Sequence, residues 1–485
     1  MVRSETTALL AEVTVSQTLS DDEGPRKGGG ASDDDDDGSR KGAWASSSGG
    51  GVGRERSSLA SLVSCIYFCV PYDWISRGGI ADRAKEDGKT RQGGINGPIA
   101  TFFLLLNSMI GSGIFVQPYV FREVGIALAL VLYVVVGTAI FTGVDLLMKS
   151  ADRYGIFDYS KLASKVLGAG GQQLVDSVVV VGNLGSLVTY MLIVGTLSND
   201  ILQQYTGVSS VSLTTVVLTI CCITPGCLIR SFGHLSVFAY FSMVAIFCTF
   251  LFVVIAGPVE TRGDNLDEDL NYWDLHAGFT NIGNIVFALG FSNSAFHAYV
   301  SVKEVDRSAH NFSFISFSTV VVGMIVSIAF GVTGYLSFRD LTESNILLNF
   351  SGDFGAVFKV IVTVHLLLYL PGDYIVMRFS FFRLLGFHPD DISDNLHILG
   401  TFTTIFVIMA IVCAMQVYAS DNSLAYSLDL TGGIANSLTF FFFPGLISLH
   451  SHSFQEHPRT FAKSLLLTLF GMALPILVTC SLIFK

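Results

Sequence analysis

From Ile126 to Val144 the chain runs through nineteen residues without one charge, and comparable apolar stretches recur from Pro98 almost to Lys485. A helix rises 1.5 Å per residue, so ~20 apolar residues cross the ~30 Å hydrocarbon layer of a bilayer. That layer holds no water to satisfy a peptide N–H or C=O, which leaves helices and closed barrels as the only spanning structures. Runs of this length are about twice what a barrel strand needs, so helices are expected. Of 485 residues 51% are hydrophobic and 14% charged, against ~25% charged in an average soluble domain. An ordinary soluble enzyme is excluded, and the expected fold class is an all-α polytopic membrane protein.

Eleven transmembrane helices are expected, near 98–121, 125–148, 172–203, 211–229, 233–257, 278–302, 312–338, 354–382, 397–418, 423–448 and 461–484. Lys and Arg concentrate in cytosolic loops of membrane proteins. With the N-terminus cytosolic and counting from Arg77 onward, sixteen basic residues fall on the cytosolic side, led by Arg77, Lys85, Lys149, Arg153 and Lys161, and five on the opposite side. An odd number of spans puts the C-terminus on that opposite side. The acidic loop from Pro258 to Leu275 is then the largest outer loop.

Residues 1–97 differ in kind. Lys27 to Gly53 is rich in Gly, Ser and Asp and includes the run Asp33 to Asp37, a composition that buries too little apolar surface to fold. A disordered cytosolic tail is expected, interrupted near 59–74 by an apolar segment with Cys65 and Cys69, read as interfacial and open to palmitoylation. No cleaved signal peptide is expected. The net charge of −11 argues against a nucleic-acid partner. The cysteines show no metal spacing, and no Ser/His/Asp set or HExxH is present, so no enzyme and no resident cofactor are expected.

Two spans are interrupted at their midpoints. In the first, Gly111-Ser112-Gly113 breaks the run Ile99 to Ile110 before Ile114 resumes it; in the sixth, Gly290-Phe291-Ser292-Asn293-Ser294 does the same. Each glycine costs a helix about 1 kcal/mol against Ala. Glycines also serve as packing notches, but two breaks five spans apart point to an inverted-repeat transporter with its site at the membrane midplane. Amides freed at Gly111 to Ile114, with the positive end of the following half-helix, would receive a carboxylate. Carbonyls freed on the other side would take a cation or an ammonium group, so a small zwitterion fits both.

The stretch Asn107-Ser108-Met109-Ile110-Gly111-Ser112-Gly113-Ile114 with Gln117-Pro118-Tyr119 and Gly125 resembles the first span of the amino acid/auxin permease family, including its sodium-coupled neutral amino acid transporter branch. Gly334-Tyr335-Leu336-Ser337-Phe338, Asn345-Ile346-Leu347-Leu348-Asn349, Gly432-Gly433-Ile434 and Phe443-Pro444-Gly445 resemble later elements of that family. The resemblance implies a LeuT-like inverted repeat of five plus five helices with one further C-terminal helix, working by alternating access. It implies that Gly111, Ser112, Gly113 and Ile114 bind substrate with Phe291, Ser292 and Asn293. It also implies that Asn107 binds sodium, with Thr363 the nearest candidate for an eighth-span partner.

Ionisable groups inside a bilayer are costly and default to a functional reading. Asp145, Asp176 and Asp200 lie near span ends and reach the interface. His297, His365, Asp373 and Asp429 lie deeper. A hydrogen-bonded neutral ring is the plainer reading of the histidines, and Asp373 follows Pro371, whose distortion of a helix admits water. His365 and Asp429 are the candidates for proton coupling, and Asp429 is open as well to a role as a substrate-amine contact or as a group at the outer vestibule.

The function expected is secondary active transport of a small neutral amino acid, with Na+ or H+ as the co-transported ion, at the plasma membrane or a vacuolar or lysosomal membrane. The alternative is an amino acid sensor signalling through the N-terminal tail.

Overall fold

The computed structural model describes residues 96–228, 236–261, 269–387, 392–418, 423–455 and 457–483. The expectations for the tail and its 59–74 segment lie outside these residues, as does the middle of the acidic loop, 262–268. The described chain is helical apart from one isolated parallel bridge between Asn96 and Val302.

α1 (Pro98–Met109) opens with proline at its first position, where a missing N–H costs nothing. A short 3-10 turn, Ser112–Val116, leads into α2 (Gln117–Val124). Gly125 then turns the chain at φ 88° into α3 (Ile126–Tyr154), and a β-carbon there would stand 2.4 Å from Tyr272 and Trp273 backbone. Only glycine meets both demands. α4 (Tyr159–Leu167) is capped by the Asp158 carboxylate on the Lys161 amide. α5 (Ala169–Thr206) follows, then α6 (Val211–Leu218), continued through a π turn into α7 (Thr224–Cys227). α8 is Ser236–Glu260.

α9 (Leu275–Leu289) is capped by Asp274, and α10 is Ser292–Ser301. α11 (Ala309–Phe338) is capped by Ser308. α12 (Gly352–Leu384) contains Pro371. α13 (Asp394–Tyr418) precedes α14 (Ser423–Leu430), which runs through two π turns, Thr431–Asn436 and Leu438–Phe442, into α15 (Phe443–Ser451). α16 (Pro458–Ile483) ends the described chain.

Among the described residues eight helices are long and apolar enough to cross a membrane, and the bent pair 98–124 makes nine. Two of the eleven expected spans fall outside that number: 211–227 is an apolar helix of shorter length, and 275–301 is split at Gly290 into pieces of 15 and 10 residues. Some 72% of the apolar window of α5 and of 423–451 is buried inside the protein, against 22% for α13. The first two are therefore the centre of the bundle, and α13 presents its apolar face outward, as a lipid-facing helix does. α5 packs along α12, and α9 packs on the π-turned segment.

Close backbone approach sets that second contact. A β-carbon on Gly432 would stand 1.9 Å from the Gly283 carbonyl oxygen, and one on Gly283 would stand 2.1 Å from the Asp429 carbonyl oxygen. Small residues at such crossings let helices pack where lipid offers no hydrophobic drive. The Asp429 carboxylate accepts the Gly283 amide at 2.8 Å.

Candidate functional site

Both expected interruptions are departures from helical geometry. α1 stops at Met109; Ile110 (φ −86°, ψ 74°) and Gly111 (φ −104°, ψ −146°) carry the chain out of the helix, and the two halves of the span are bent by 49°. α9 stops at Leu289; Gly290 is extended (φ −81°, ψ 128°), and α10 restarts after Phe291 (φ −144°, ψ 8°). At each break the carbonyl end of one half-helix meets the amide end of the next, so partial charges of both signs are concentrated there. Gln117 steadies the first break: its buried amide donates to the Gly113 carbonyl at 2.7 Å, and the Tyr133 hydroxyl donates to its oxygen.

The two breaks line one shared cavity. Gly111 and Gly113 line it from the first break, and Gly290, Phe291 and Asn293 from the second. Ser112 and Ser292 are buried beside it with hydroxyls that meet no partner, and the Asn293 side-chain oxygen is equally unpartnered. Ile114 lies inside the 3-10 turn, buried and off the wall, its amide donating to the Gly111 carbonyl at 3.4 Å.

The four ion-coupling candidates stand off the cavity wall. The Asn107 side-chain oxygen accepts the Ser242 hydroxyl of α8 at 2.8 Å. Thr363 is buried with its hydroxyl unpartnered, and His365 is buried with both ring nitrogens unpartnered, its ring 5.9 Å from that of Tyr369. Asp429 is buried and engaged with Gly283. Its place two residues before the first π turn joins it to the α9 contact, off the cavity wall.

Sequence reasoning picked out Asp373 as an intramembrane carboxylate and passed over the rest of the remaining wall. Asn183, Ser186 and Tyr190 line the cavity from α5, Tyr369 and Asp373 from α12, and Asn436 and Phe440 from the π turns. The spacing of the first three, i, i+3 and i+7, sets polar side chains on one helix face inside an otherwise apolar span, which was the available signal. The π turns have no such signature, although they frequently mark functional sites.

Amide ends, hydroxyls, one carboxylate and aromatic rings around one cavity suit a small polar molecule bearing charges of both signs. Solved structures of a transporter share the architecture. Mhp1 in an inward-facing conformation superposes with a TM-score of 0.53 at 12% identity, over 72% of this chain and 76% of that one. Mhp1, a nucleobase-cation-symport-1 family transporter, closed around bromovinylhydantoin, gives the same score and identity over 81% and 93%. At that identity the likeness is one of fold.

Sequence relatives are transporters by name. The Mus musculus "Putative sodium-coupled neutral amino acid transporter 11" is 24% identical over 80% of this chain and 84% of its own. The Arabidopsis thaliana amino acid transporter AVT6E is 24% identical over 76% and 79%. The Schizosaccharomyces pombe vacuolar amino acid transporter 5 is 23% identical over 70% and 81%. The function is transport across a membrane, not catalysis. Residues 96–484 match the family described as transmembrane amino acid transporter protein, and the chain belongs to that family.

Proposed function

We propose that this chain carries a small neutral amino acid by alternating access, driven by a co-transported cation. The observation that carries the reading is the meeting of two helix breaks, at Gly111 and at Gly290–Phe291, on one cavity. The substrate carboxylate is received by the amide ends of the resumed half-helices, and the Asn293 side chain and the orphaned hydroxyls of Ser112 and Ser292 supply further hydrogen bonds. Adding 211–227 and the split pair 275–301 to the nine segments above gives eleven spans, read as two repeats of five and a last helix, with the N-terminus cytosolic. Neutral specificity is supported by the name of the mouse relative, and a vacuolar-type membrane by the name of the yeast one; the plasma membrane is the other candidate.

Sodium is the proposed coupling ion. Among the described residues no group of three His, Cys, Asp or Glu side chains is arranged to hold a metal, so a sodium site would be built from carbonyl, amide and hydroxyl oxygens, the hard ligands such ions take. Asn107 and the unpartnered hydroxyl of Thr363 offer two. His365 and Asp429 are the groups that a proton would use instead.

Uptake of the twenty amino acids into proteoliposomes under imposed sodium or proton gradients tests the reading. Concentrative uptake of small neutral amino acids is expected. A chain that folds and takes up none of them, with either gradient, is not such a carrier.

A further inference from the structure

Among the described residues on the cavity wall Asp373 is the one charged side chain, and no Lys, Arg or His shares the wall with it. The Tyr190 hydroxyl donates to one of its carboxylate oxygens at 2.9 Å, and no other described donor reaches the side chain. Tyr190 is itself 5% exposed, and its ring stands edge-on to that of Tyr369 with centroids 5.8 Å apart. The carboxylate is thus held between α5 and α12. His365, on the same helix, lies about two turns away and off the wall.

A carboxylate beside a cavity within the membrane, with a single neutral donor, is stabilised as the anion when a cation stands against it. Across the same space the amide ends after Gly111, beginning at Ser112, and after Phe291 favour an anion. The cavity is therefore polarised, with a negative pole on α12 and positive poles at the two breaks. We infer that Asp373 receives the α-ammonium group of the substrate, with Tyr190 as the residue that positions the carboxylate. The inference rests on the cavity being the substrate site and adds what it selects. A molecule must carry a cation and an anion on neighbouring atoms, so α-amino acids are accepted and 2-hydroxy acids of the same shape are rejected.

Competition in proteoliposomes holding the full chain tests this, with L-lactate against L-alanine and 2-hydroxyisocaproate against L-leucine. In the wild type each hydroxy acid should compete at least about tenfold more weakly than its amino acid, the worth of one charge-assisted hydrogen bond. Asp373→Asn should weaken the amino acid about tenfold and leave the hydroxy acid nearly unchanged, so that the preference collapses. Tyr190→Phe keeps the charge but frees it to turn, and should lower the preference part of the way. It also serves where Asp373→Asn yields no folded protein. An unchanged preference in every folded variant overturns the inference and leaves the transport reading standing. A wild type that takes up neither amino acid refutes the site itself.

Discussion

The Ser108 and Ser294 hydroxyls stand 2.6 Å apart, a hydrogen bond joining the last turn of α1 to the first turn of α10 across 186 positions of sequence. Both residues line the cavity, so the two broken spans are tied to each other on its wall. A rearrangement that moves one half-helix against the other must carry this bond or break it. Ser108→Ala and Ser294→Ala should each cost about 1 kcal/mol in detergent unfolding, and the double variant should be no worse than the weaker single one. Fully additive losses in that cycle would mean the two hydroxyls are not coupled.

Gly111 and Gly113 should respond differently to a side chain. A β-carbon on Gly111 meets nothing within 4 Å and stands beside the cavity, whereas one on Gly113 falls 2.9 Å from the Ala288 α-carbon and from a Phe287 ring carbon. Neither glycine has a positive φ, so space rather than backbone conformation decides. Gly111→Val should give a stable monomer on size exclusion with uptake lost, because the side chain occupies substrate volume. Gly113→Val should lose about 1–3 kcal/mol through overpacking and express poorly. Equal stability of the two would contradict the assignment.

Lys359 and Asp200 form an ion pair of unequal burial. The ammonium nitrogen lies 2.6 Å from the Asp200 carboxylate and 2.6 Å from the Phe350 carbonyl oxygen, with 2% of the lysine side chain exposed against 37% of the aspartate. Removing the aspartate strands a buried charge; removing the lysine leaves a carboxylate that already reaches the surface. Asp200→Asn should therefore cost more than Lys359→Met, about 3 kcal/mol against about 1 kcal/mol. Thermal unfolding of the two variants side by side reads the order directly.

The helical bundle was legible because every spanning segment must satisfy its own backbone, which writes long apolar runs into the sequence at Ile126 to Val144 and elsewhere. The breaks were legible because glycine and serine interrupt such runs at Gly111 and Gly290. What lay hidden was which side chains of unbroken helices face the space between the breaks. Tyr190 and Asp373 are 183 positions apart, and nothing local marks their meeting. Asp429 was half legible for a related reason: a carboxylate in an apolar span invites a transport role, while its bond to the Gly283 amide of α9, 146 positions away, has no local mark. Gly432 and Gly283 look like helix weakeners in sequence but are places where two backbones touch.

Coupling is the remaining test, and Asn107 separates its two forms. Its side-chain oxygen already holds the Ser242 hydroxyl at 2.8 Å, which orients it on α1 within three residues of the break and fixes it against α8. A sodium ion would use that oriented oxygen without any change of protonation. Asn107→Ala should then raise the sodium concentration for half-maximal uptake about tenfold, and Ser242→Ala should raise it less, since only the orientation is lost. Asp429→Asn keeps an acceptor for the Gly283 amide and should leave sodium dependence nearly unchanged. Replacing sodium with choline should abolish concentrative uptake. If uptake instead persists in choline, and His365→Gln or Asp429→Asn flattens its pH dependence, protons are the coupling ion and Asn107 has a structural role. Uptake indifferent to both gradients, with only exchange of one amino acid for another, would remove cation coupling altogether and leave a carrier built on the same cavity.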